Sequence, residues 1–260
     1  MQLNLNRFAT RVPVCRLALA ALLVAVPATA SMDSASPARV DPVVEPIGAV
    51  EPELPAVAEV DEASSVFDMA SWADVRVGGV NPDVFELALR AAAAAVERGD
   101  AKPSTLTVID FSKPSTARRM WVYDLRNPGL LFEELVSHGR NSGMNLATSF
   151  SNLAESNKSS IGLYRMAESY IGKHGYSLRL DGLDRGFNDR ARERAIVIHG
   201  ADYVSEAITK AQGRLGRSLG CPAVRPEISH KLIDTVKEGG LLFAYYPDQQ
   251  WLRNSTYLAP

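Results

Sequence analysis

The chain has 260 residues, 46% hydrophobic and 22% charged, with two cysteines, four histidines and a formal net charge of −2. A charge this balanced offers no basic face for nucleic acid, and two cysteines cannot build a disulfide scaffold. The sequence has no close His/Cys pair and no HExxH spacing, and the loop Gly139-Arg140-Asn141-Ser142-Gly143 lacks the Gly-Lys-Ser/Thr ending of a phosphate loop, so neither a metal nor a cofactor is expected.

Residues 1–30 read as an export leader. Arg7, Arg11 and Arg16 precede the apolar run Leu17 to Val26, and Ala28-Thr29-Ala30 supplies a small-residue cleavage site before Ser31. The apolar run is too short to cross a bilayer, which takes about 20 residues, so no membrane segment is expected after cleavage. Residues 31–66 hold eight acidic residues against Arg39, together with Pro37, Pro42, Pro46, Pro52 and Pro55. Such a composition buries no core and reads as a disordered tether. Residues 67–260 are then one folded domain, placed in the periplasm or cell wall.

In chain order, the first element is a helix. Asn81 caps it, Pro82 suits its first turn, Val84, Leu87, Ala88, Ala91 and Ala95 recur at helical spacing, and Gly99 stops it. Short β segments follow at 105–109, 120–123, 130–136, 176–180 and 195–198, separated by Gly, Asn, Asp and Ser. A second helix starts at Pro226, with Ile228, Leu232, Ile233 and Val236 on one face. The run 241–246 reads as a last buried strand. The fold class is mainly β with peripheral helices, a mostly antiparallel sandwich or partly closed barrel.

Chemistry concentrates at Cys221. It lies in Arg217-Ser218-Leu219-Gly220-Cys221-Pro222, downstream of the strand that ends in His199-Gly200. Once the leader is removed, Cys221 has no bridging mate in an oxidising compartment, so it is either a buried small hydrophobe or a working thiol. A strand that delivers a histidine to a glycine-flanked cysteine suits a thiol nucleophile and its general base. The intervening stretch 201–220 is long enough to fold back, with Gly213, Gly216 and Gly220 permitting the turn. Gly220 also lets nearby amides point at a developing oxyanion. Arg217 and Arg214 are candidates to grip a carboxylate. Ser218 either bonds the site or shapes a turn, and His138 and Asn141 stand in a loop that can line the cleft.

The run from His199-Gly200 through Ser218-Leu219-Gly220-Cys221 resembles the signature of the murein L,D-transpeptidase catalytic domain: His-Gly, a spacer, then Ser/Thr-His-Gly-Cys. Further pieces resemble one branch of that family: Ile109-Asp110-Phe111-Ser112, His138 to Gly143, Phe150-Ser151-Asn152, Lys158 to Gly162, and Gly172 to Tyr176. The resemblance spans residues 80–246. It implies an L,D-transpeptidase-like β fold and acyl transfer on peptidoglycan stem peptides. Cys221 is then the nucleophile, His199 the base, and Gly220 and Cys221 amides the oxyanion donors. A second stem as acceptor gives a 3→3 cross-link; water gives L,D-carboxypeptidase activity. Leu219 stands where the better-known branch has a second histidine, a role left to His138 or His174. The family's arginine shortly after the cysteine is not carried over to Arg225. The alternatives are a sortase-like transpeptidase pairing His138 with Cys221, and a non-catalytic wall-binding module.

Overall fold

Helix α1 (Pro82–Glu97) forms where its capping residues predict it. Asn81 Oδ1 accepts the Asp83 amide at 2.8 Å, and Gly99 leaves the helix at φ +75°. The computed structural model describes residues 66–258. The expected leader, and the expected tether as far as residue 65, lie outside the described residues. The buried face of α1 is wider than the helical spacing suggests, because Phe85, Leu89 and Ala92 join it. Phe85 meets Trp72 edge-on at 5.1 Å and Tyr123 at 4.7 Å.

Among the described residues, eight strands make one sheet: β1 (Thr105–Asp110), β2 (Met120–Asp124), β3 (Gly129–Glu134), β4 (Gly162–Gly172), β5 (Gly175–Gly182), β6 (Val197–Gly200), β7 (Ala223–Val224) and β8 (Leu241–Tyr245). Their spatial order is β3-β2-β1-β8-β4-β5-β6-β7. The β1–β8 and β6–β7 pairs are parallel and the other pairs antiparallel. β1 and β8 lie mid-sheet and are buried almost throughout, as continuous apolar runs should be. Beyond β3 the chain turns to β7: the Ser137 amide donates to Ala223 O at 2.9 Å, and the Ala223 amide to Ser137 Oγ at 3.3 Å. Glu134 at the end of β3 takes a two-pronged ion pair from Arg225, just after β7, at 2.8 and 3.0 Å. The two ends of the sheet thus approach, and the result is a nearly closed barrel.

Helices α2 (Glu206–Gln212), α3 (Pro226–Val236) and α4 (Gln249–Asn254) complete the unit. α2 breaks the loop expected between His199 and Cys221. None of its residues is buried, so no apolar spacing announces it. Ser205 caps it and Gly213 ends it at φ +66°. β4 also escapes the sequence reading, because a bulge between Met166 and Ser169 breaks its alternation. β3 stops two residues before the expected Val136, whose carbonyl turns to the buried guanidinium of Arg119 at 2.9 and 3.1 Å. β6 starts two residues after the expected Ala195, which sits at φ +53° and cannot extend a strand.

Candidate active site

Parallel pairing of β6 with β7 sets His199 opposite Ala223, two residues after Cys221, and the Val197 amide on β6 reaches the Cys221 thiol. The His199 ring and the Cys221 thiol line one pocket of about 150 Å³, with His174, Tyr203, Arg217 and Leu219 around them. His199 is nearly fully buried. Its Nδ1 lies 2.8 Å from the Gly200 carbonyl, which can only accept, so Nδ1 carries the proton and Nε2 keeps its lone pair. The Gly200 carbonyl orients the ring, and Asp202, three residues along, is exposed. Burial holds the His199 pKa below the ordinary histidine value, and charge on His174 works in the same direction.

The Cys221 Sγ lies 3.8 Å from the Ala195 carbonyl. Burial pushes the thiol pKa above the ordinary cysteine value, against the pull of the Val197 amide and the Arg194 charge. The resting pair at neutral pH is therefore a neutral thiol and a neutral imidazole, not a thiolate and an imidazolium.

The turn carrying Cys221 is held by Ser218. Its Oγ accepts the Gly220 amide at 3.0 Å and donates to Cys221 O at 2.6 Å. This corrects the expected oxyanion role of Gly220, whose N–H is already committed to Ser218. The glycine serves conformation instead: it sits at φ +132°, and a Cβ there meets Lys158 O at 2.9 Å. Ser218 also receives the Arg140 amide and donates its own amide to His138 O, which straps the cysteine turn to the 138–147 loop.

The sequence profile of the L,D-transpeptidase catalytic domain matches residues 77–245. This chain belongs to that family. No curated protein sequence matches it. An L,D-transpeptidase from Mycobacterium smegmatis aligns at 15% identity over 55% of this chain and 59% of that one, with a TM-score of 0.35. The helical cell shape determining protein Pgp2 from Campylobacter jejuni aligns at 15% identity over 61% and 55%, with a TM-score of 0.37. The chain thus spans a little over half the length of these two structures. The profile match decides the assignment.

Within this L,D-transpeptidase domain, the other expected site residues separate. Arg217 reaches the pocket, but its Nη1 bonds the carbonyls of Arg140 and Gly143, each at 2.9 Å. Arg214 turns to the Leu215 carbonyl at 2.8 Å and does not line the pocket. Asn141 is exposed and ties its loop to Ser156 O at 2.9 Å. His138 was expected on the cleft wall; it is instead fully buried, with Nδ1 2.8 Å from Arg119 Nη2 and its pKa lowered to about 4 by burial and that charge. A histidine so placed braces the loop and does not line the pocket of Cys221, where the sortase-like alternative would need it. Arg225 is paired with Glu134.

Arg194 went unread in the sequence, and His174 was read only as one possible stand-in for the missing second histidine. Arg194 lies behind the thiol and donates to Ser151 O and Lys158 O, each at 2.7 Å, and to Ser160 Oγ. His174, at the β4–β5 hairpin tip, stacks on His199 at 4.4 Å with an interplanar angle of 23°. Arg194 sits in a polar run with no fixed spacing to the motif, and nothing local marks His174 as a neighbour of His199.

Proposed function

We propose that this chain is a cysteine-dependent murein L,D-transpeptidase, exported by the leader at 1–30 and acting on peptidoglycan stem peptides from the acidic tether at 31–66. The observation that carries the reading is the shared pocket of His199 and Cys221, with Nδ1 of the histidine occupied and Nε2 available.

The chemistry follows from that arrangement. Cys221 Sγ attacks the carbonyl of the diamino acid at its L-centre while His199 Nε2 takes the thiol proton. The tetrahedral oxyanion is met by the Cys221 amide, a single donor of the kind worth about 3–4 kcal/mol in other acyl-transfer sites. Collapse breaks the C–N bond to the terminal D-alanine, and the imidazolium returns the proton to the departing amine. A second stem's side-chain amine then attacks the thioester, gives its proton to His199 and releases the thiol, leaving a 3→3 cross-link. Water in place of the amine gives L,D-carboxypeptidase hydrolysis. Arg217 holds a stem carboxylate at the pocket rim, and Ser218 keeps the turn in shape.

The test is product analysis. The described domain incubated with tetrapeptide-stem muropeptides should release D-alanine and form dimers. Cys221→Ala should abolish both, and His199→Ala should slow them by roughly 10²–10⁴. Wall binding without turnover by the unaltered protein is the outcome that favours a binding module.

A further inference from the structure

His174 has an unusual position for a hairpin residue. It occupies the two-residue tip between Gly172 and Gly175, exposed to solvent, yet its ring lies flat on the buried His199. Among the described residues the His174 side chain makes no hydrogen bond or ion pair, and the stack is its one ring contact. It also sits at a boundary. His174 and His199 line both the pocket of Cys221 and a second cavity of about 480 Å³ that runs past Tyr176, Asp202 and His230. The Gly200 bond fixes only one edge of the His199 ring. Without a cover on its open face, the ring has room to swing toward the larger cavity.

We propose that His174 is a positioning residue for the base: it closes the open face of His199 and keeps Nε2 on the side of Cys221. This rests on the reading of His199 as the base. It also accounts for a motif with Leu219 in place of a second histidine, because the second imidazole comes from the β4–β5 hairpin. Charge follows from the same contact. Two stacked imidazoles resist double protonation, so a protonated His174 opposes the proton on His199. The other groups facing the pair are Asp202 and Tyr203 after β6, Tyr176 on β5, His230 on α3, and Cys221 with Arg217 across the pocket, while Lys173 beside His174 on the hairpin is exposed and lines neither cavity. Of these, Tyr176 is bonded to Asp234 at 2.7 Å, and the His230 ring meets that of Tyr176 at a tilt, with centroids 4.9 Å apart.

The experiment compares His174→Ala and His174→Phe in the full chain by two readouts, the NMR titration of His199 and the kcat and KM of D-alanine release. In the Ala variant kcat should fall roughly tenfold to a hundredfold with KM little changed, the usual scale for a misplaced catalytic group. The Phe variant keeps a stacking face and should restore most of kcat. In both variants His199 should titrate at higher pH than in the unaltered protein, because the opposing charge is gone. A native kcat in the Ala variant, failure of Phe to restore it, or an unmoved His199 titration in the Phe variant each overturns the proposal. The titration needs no stem peptide. Absence of D-alanine release from the unaltered protein therefore counts against the proposed function, while a displaced titration still supports the stack.

Discussion

Cys221 and His199 meet as uncharged groups, and that fixes how the thiol should respond to pH. Its pKa is raised by burial, so little thiolate exists at pH 7. Alkylation of Cys221 in the folded protein should be slow at pH 6 and keep rising beyond the ordinary thiol range of about 8.5. A plateau already reached near pH 6 contradicts the neutral pair. For His199 the sign is opposite: burial lowers its pKa, so it stays an unprotonated base to lower pH. The acidic limb of kcat/KM should fall below the ordinary histidine value of about 6.5. Gly220 yields a sharper expectation. Gly220→Ala at φ +132° drives a methyl against the Lys158 carbonyl, so the unfolding free energy should drop by at least about 1 kcal/mol, and the turn should lose its activity. An active, equally stable variant refutes that account of the glycine. Cys221 and His199 were legible as candidates because their residue types and flanking glycines carry chemistry, and the fold puts both on one pocket. The fate of the Gly220 amide was not, because it depends on which way the Ser218 hydroxyl turns.

The strand that delivers His199 is preceded, two residues before its start, by a strained residue. Ala195 takes φ +53°, and its carbonyl meets the Cys221 thiol. The left-handed region costs an alanine about 1–2 kcal/mol that glycine does not incur. Ala195→Gly should therefore raise stability by about 1 kcal/mol in urea unfolding, where glycine in an ordinary strand lowers it. A loss of stability shows that the strain is absent. Element by element, α1, α3, β1 and β8 were readable from capping residues and apolar runs. α2 and β4 were not, one for want of a buried face and the other because its bulge breaks the alternation.

Closure of the sheet belongs to the whole molecule and could not be read locally. β3 and β7 are far apart in sequence, and so are β1 and β8, whose parallel register only the folded chain reveals. The Glu134–Arg225 pair spans the closing edge, with Glu134 buried and Arg225 half-buried. Glu134→Gln removes a charge-assisted pair and should cost about 1–3 kcal/mol, while weakening the hold of β7 under Cys221. Unchanged stability and turnover mean that the pair is ornamental to closure. The central claim is covalent: Cys221 carries the stem peptide between donor and acceptor. Its most direct test is intact-protein mass spectrometry, with peptide mapping, after mixing the domain with a tetrapeptide-stem muropeptide and no acceptor. The account predicts an adduct on Cys221 with the mass of the donor less D-alanine, absent from Cys221→Ala. Release of D-alanine with no adduct in the unaltered protein, and at the same rate in Cys221→Ala, contradicts it.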